Sequence, residues 1–150
     1  MSSKGLLTAV LLLACGGRAL ASGASYTGAW TIDLRNAEQK KQHLECGQAR
    51  FELTQDGENI TGSHTFVTPG CSRENEGGPG TVNGLIVDGT AVLVVTSART
   101  GDMAMGKAVR KGNRLHWHTV HQFKKNAGAD GDSPLILKQS VLMFESADVK

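Results

Sequence analysis

From Cys46 to Val67 the chain alternates apolar and polar side chains. Ala49, Phe51 and Leu53 take turns with Arg50, Glu52 and Thr54, the period of a strand with one buried face. Asp56-Gly57-Glu58-Asn59 interrupts the run as a polar turn. Ile60, Gly62, His64 and Phe66 then alternate with Thr61, Ser63, Thr65 and Val67. Two such runs around a short turn predict a hairpin. With the turn centred between Gly57 and Glu58, Cys46 faces about residue 69, so a bridge to Cys71 needs only a small slip in register.

The same period recurs along the chain. Tyr26, Gly28, Trp30, Ile32 and Leu34 mark one face of a first strand. Thr81–Val87 and Thr90–Ser97 flank Asp88-Gly89, a strong hairpin signal. Val92-Leu93-Val94-Val95 is apolar on both faces, which predicts a central strand covered on both sides. Asp102–Arg110, carrying Met103 and Met105, is a weaker strand. Leu115, Trp117, Thr119, His121 and Phe123 share one face of the next, with His116, His118, Val120 and Gln122 on the other. Leu135–Phe144 is the last strand. Asn36–Glu45 reads as a short helix or structured loop, because Asn36 can cap with Gln39 three residues on. Thr68–Gly80 and Lys124–Pro134 read as polar, glycine-containing loops, the first held near one end by the bridge.

About eight antiparallel strands joined mostly by tight turns predict an all-β meander closing into a small barrel, with a β-sandwich as the alternative. Gly28-Ala29-Trp30 opens the first strand with Gly-x-Trp. On those residues, and on strand count and length, the chain resembles the calycin group: the lipocalins and especially the shorter avidin-like barrels. The resemblance implies a barrel with one open end and names no ligand. The second lipocalin motif, Thr-Asp-Tyr, is absent, and avidin-like biotin ligands find no position-by-position match.

The first 21 residues have a different pattern. Lys4 precedes an apolar run, Leu6–Ala14, and Ala19-Leu20-Ala21 is a small-x-small cleavage site; together they read as a secretory signal. Leu12-Leu13-Ala14-Cys15 also resembles the bacterial lipobox, in which case Cys15 carries a lipid and residues 15–25 form a tether. Either way residues 22–150 are expected to form one exported domain, in the periplasm or at the outer membrane, touching a membrane only through an anchor at Cys15. Cys46 and Cys71 are then an even pair in an oxidising compartment.

Charge narrows the partners. Lys4 and Arg18 account for the whole net charge of +2, so the chain from Ser22 onward is neutral. A neutral domain has little to offer a phosphate backbone, which argues against nucleic acid. No complete catalytic set appears. Gly131-Asp132-Ser133-Pro134-Leu135 is similar to the Gly-Asp-Ser-Leu esterase motif, but no histidine follows Ser133 and Pro134 interrupts it.

The leading expectation is therefore a non-enzymatic envelope barrel, without a cofactor, that buries a small, partly apolar ligand at its mouth. Trp30, His64, Trp117 and His121 are its candidate lining. A second expectation is a protein-interaction module, such as an inhibitor of an envelope hydrolase, presenting Arg73, Glu74, Asn75 and Glu76 on the stapled loop 71–80. The third is a metal-dependent enzyme using His116 and His118, which share a strand face as two ligands must; His43, His64 or an acid would have to complete that set.

Overall fold

A computed structural model describes residues 24–124 and 137–145. The leader, Cys15 and the Gly131–Leu135 stretch lie outside the described residues. Within them the order is β1 (Gly28–Asp33), α1 (Ala37–Lys41), β2 (Cys46–Asp56), β3 (Asn59–Pro69), β4 (Glu74–Val87), β5 (Thr90–Thr96), β6 (Met103–Lys111), β7 (Arg114–Phe123) and β8 (Gln139–Glu145). Each strand pairs antiparallel with the next, and β8 returns to β1, so the sheet is a closed eight-stranded barrel rather than a sandwich. Closure needs three residue pairs, Ala29↔Glu145, Trp30↔Phe144 and Thr31↔Met143.

The β2–β3 hairpin has the expected register, with Phe51 opposite His64 and Cys46 opposite Pro69. Cys71 reaches Cys46 from just beyond, and the disulfide joins Cα atoms 5.3 Å apart. At the β4–β5 turn Asp88 and Gly89 both have positive φ, 49° and 73°, as a two-residue turn matching the twist of its strands requires. Asn36 caps α1 through a reciprocal pair: its side chain accepts from the Gln39 amide, and the Gln39 side chain accepts from the Asn36 amide.

Inward residues of all eight strands build one core. Trp30, Phe51, Phe66, Trp117, Leu93, Leu115 and Leu142 are fully buried. Phe51 meets Phe66 and Trp117, each with ring centroids 5.2 Å apart. Gly106 on β6 makes room for this: a Cβ there would overlap the Trp117 ring.

The two ends differ. The β2–β3, β4–β5 and β6–β7 turns share one end with Tyr26, which plugs it. The Tyr26 hydroxyl lies 2.8 Å from the Gly89 carbonyl and 3.1 Å from that of Ala108. The Trp30 indole N–H donates to the Tyr26 carbonyl at 2.9 Å. Arg110 lies over the rings of Trp30 and Phe144, 5.2 and 5.7 Å from their centroids, a favourable cation–π arrangement. The opposite end carries α1 and the turns after β3 and β5. Among the described residues the buried polar side chains are Ser97 and Asp102, which belong to that end, and His64 and Asn75.

Three expectations change. Val92 and Val94 lie half-buried on the outer wall, because a closed barrel has only one covered face. Residues 74–80 are strand rather than loop: Val67↔Glu74, Phe66↔Asn75, Thr65↔Glu76 and His64↔Gly77 are ladder pairs. This stretch has few apolar side chains, and its order comes from backbone pairing to β3. His121 points outward. The β6–β7 register shifts between Met105↔His121 and Gly106↔Thr119; the extra residue on β7 is Val120, and one extra residue reverses the faces beyond it.

Candidate functional site

The β3–β4 ladder contains the most irregular backbone in the barrel wall. Gly62 pairs with Val82 and His64 with Gly77, so Gly78, Pro79, Gly80 and Thr81 stand opposite the single residue Ser63. Thr81 folds back over Gly77, where a Cβ would overlap its side chain. Its hydroxyl donates to the Gly78 carbonyl at 2.7 Å, and the Asn83 amide donates to the Gly80 carbonyl. The bulge is therefore closed by its own side chains.

His64 lies behind the bulge, 2% exposed. Its Nδ1 is 3.1 Å from Thr81 Oγ1 and its Nε2 is 3.0 Å from Asn75 Oδ1. The ring also meets Phe66, with centroids 5.1 Å apart. Burial pushes the imidazole pKa down; the Asn75 hydrogen bond and the charge of Glu76 oppose that shift. Above it lies a cleft of about 420 Å³ lined by Glu52, Ser63, His64, Thr65, Glu76, Gly77, Gly78, Pro79 and Ala98. Its walls carry the Ser63 and Thr65 hydroxyls and the Glu52 and Glu76 carboxylates beside Pro79, Ala98 and two glycines. Glu52 is also held by Arg50, at 3.0 Å.

The other expected residues are dispersed. Trp30 and Trp117 are core members, with 0% and 1% exposure, and neither lines the cleft over His64. Trp117 donates through Nε1 to Thr119 Oγ1 at 3.0 Å. His121 is exposed on the outer wall against Phe123, ring centroids 4.5 Å apart, so it does not join His64. Of the four residues assigned to a presented loop, Arg73, Glu74 and Glu76 are exposed, but Asn75 is buried and faces His64. His116 and His118 share the outer face of β7 beside Val109, Lys107, Val141 and Gln139. Among the described residues, no three His, Cys, Asp or Glu side chains group as a metal ion would need.

Two features had weak signals in the sequence. The partnership of Asn75 and Thr81 with His64 depends on the bulge, which no side-chain period marks. The outer wall over β6–β8 is unusually apolar: Met103, Val120, Phe123, Val141 and Met143 are each 40–48% exposed. Register places them in two groups, Met103↔Phe123 beside Val120 at the end of β7, and Val141 and Met143 opposite His116 and Arg114 near its start, with Lys107↔His118↔Gln139 between. By contrast the outer face of β2 and β3 carries Arg50, Glu52, Thr54, Thr61, Ser63 and Thr65. No family model and no curated protein matches the chain.

Proposed function

We propose that the protein is an exported, non-enzymatic binding barrel whose ligand seat is the cleft over His64, not the barrel interior. The observation that carries this reading is a buried histidine, hydrogen-bonded through both ring nitrogens, at the floor of an open cleft. Phe51, Phe66 and Trp117 touch one another inside the barrel, and the space they occupy is closed to an apolar ligand. The cleft walls favour a small, hydrogen-bonding ligand that is neutral or cationic, because the Glu52 and Glu76 carboxylates disfavour an anion. Export is supported by the disulfide, a bond that persists in oxidising compartments.

The test is a titration of ¹⁵N-labelled protein with a polyol, a primary amine and a fatty acid, read by amide shifts. The polyol or the amine should move Ser63–Thr65 and Glu76–Thr81. Shifts confined to Trp30 and Trp117 neighbours, with the fatty acid alone, would return the ligand to the interior. A second reading, a protein-interaction module, is favoured by the apolar outer wall, since contiguous exposed apolar surface marks interaction sites. In that reading the contact surface is Met103, Val120 and Phe123, not the stretch 71–80.

A further inference from the structure

The bulge at Val120 re-aims one side chain. With unbroken alternation His121 would face inward like Trp117; beyond the extra residue it lies on the outer wall, directly across from Met105. Met103 lies across from Phe123. Ala104, between the two methionines, is fully buried, so both methionines face outward, Met103 with 40% of its surface exposed. His121 and Phe123 touch, with ring centroids 4.5 Å apart. Directly opposed residues hold their Cβ atoms about 4.5–5.5 Å apart, and next-but-one residues along a strand are about 6.5–7 Å apart. Two thioethers, an imidazole and an aromatic ring therefore occupy the four corners of one patch on β6 and β7.

These are donors that a soft cation prefers. Thioether sulfur selects Cu(I), and imidazole binds copper as well. Three rotatable bonds let each methionine sulfur swing towards the imidazole. The face of an aromatic ring such as Phe123 attracts a cation held beside it. Thioethers are a separate class of donor from His, Cys, Asp and Glu, of which no group of three suits a metal among the described residues. Met143 is the contrast: it is 48% exposed, but Thr31 and Arg114 lie across from it and supply no second soft donor. We propose that Met103, Met105 and His121 form a surface site for a soft monovalent cation of the Cu(I) class, with Phe123 as its aromatic flank. Binding exchanges water on the ion for two sulfurs and one ring nitrogen; the ion keeps its charge, so no oxidant or reductant enters. Lys107, the next outward residue along β6, is exposed, and its charge is screened by solvent. The site is separate from the cleft over His64, and either stands without the other.

The test is a titration with Ag(I), the redox-inert probe of this class, in chloride-free buffer. The protein is the full chain carrying C15A, which leaves Cys46 and Cys71 joined and no free thiol. Methionine methyl groups and histidine ring nitrogens are followed by NMR. The Met103 and Met105 methyls and the His121 ring should shift together and saturate at one equivalent, while the Met143 methyl stays unmoved. An equal response at Met143 overturns the proposal, as does a response of His116 and His118 alone or no response at one equivalent. M103L/M105L keeps the size of both side chains and should weaken silver binding by about tenfold or more. H121A should weaken it likewise, and M143L should leave it unchanged. A folded M103L/M105L protein that binds silver as tightly as its parent also overturns the proposal. Where a variant fails to fold, the titration of the parent chain decides alone.

Discussion

Replacing both half-cystines with serine, C46S/C71S, isolates the contribution of the bridge to stability. The bridge closes a loop of 25 residues. In the chain-entropy model such a loop restricts the unfolded chain by about 12 cal/mol/K, or roughly 3.5 kcal/mol at 25 °C. Both cysteines have left-handed backbone, φ 60° and 56°. Serine at those positions retains that strain, so the double variant reads the cross-link more than the backbone. At about 2.1 cal/mol/K of unfolding entropy per residue, the loss corresponds to a fall in Tm of about 15 °C for a fold of this size. Urea denaturation followed by tryptophan fluorescence gives the free energy, and calorimetry gives Tm. The hairpin enclosed by the bridge is also held by β1 and β4 on either side, so residual structure in the unfolded chain is the main competing effect. A loss below about 1 kcal/mol would refute the entropic reasoning and assign hairpin stability to barrel closure.

G106A should lower stability by about 1–3 kcal/mol in urea denaturation, because its methyl group overlaps the Trp117 ring in a filled core. Y26F should cost about 1–3 kcal/mol by the same assay, since it removes the donor that serves the Gly89 and Ala108 carbonyls. His64 has a lowered folded pKa, so below the ordinary imidazole value of 6.5 the unfolded chain binds the proton first. Its contribution is therefore present above that pH and lost as pH falls towards the folded pKa. H64Q should flatten the corresponding slope in a plot of urea-derived stability against pH. Replacing Met103 and Phe123 together with serine should weaken retention on a hydrophobic column while shifting Tm by only a few degrees, as both side chains are 40–44% exposed.

Side-chain alternation made the strands, the hairpin register and the all-β class legible. Phe51 opposite His64 and Cys46 opposite Pro69 follow from one turn position. The helix cap was legible as well, since Asn36 and Gln39 act locally. Closure was less so, because β1 and β8 meet through backbone bonds that leave no mark on composition. The first half of β4 was missed for the same reason: Glu74, Asn75, Glu76 and Gly77 pair with β3 without an apolar rhythm. His121 was placed on the wrong face because one bulged residue, Val120, reverses the parity on which the reading depended. For the site, His64 was legible as an inward polar residue, whereas its partners were not. Asn75 sits within a run of exposed polar residues, and Thr81 reaches His64 only because the bulge folds it back.

The seam between β1 and β8 also bears on how the barrel assembles. Its three residue pairs come from opposite ends of the described chain, so nearly the whole polypeptide must be gathered before any of them forms, and non-local pairing of this kind is slow. Until then β1 and β8 are bare edges, able to accept each other's counterpart from a neighbouring molecule. Refolding at high protein concentration thus sets intramolecular zippering against exchange of terminal strands between chains, and dilution favours the monomeric ring.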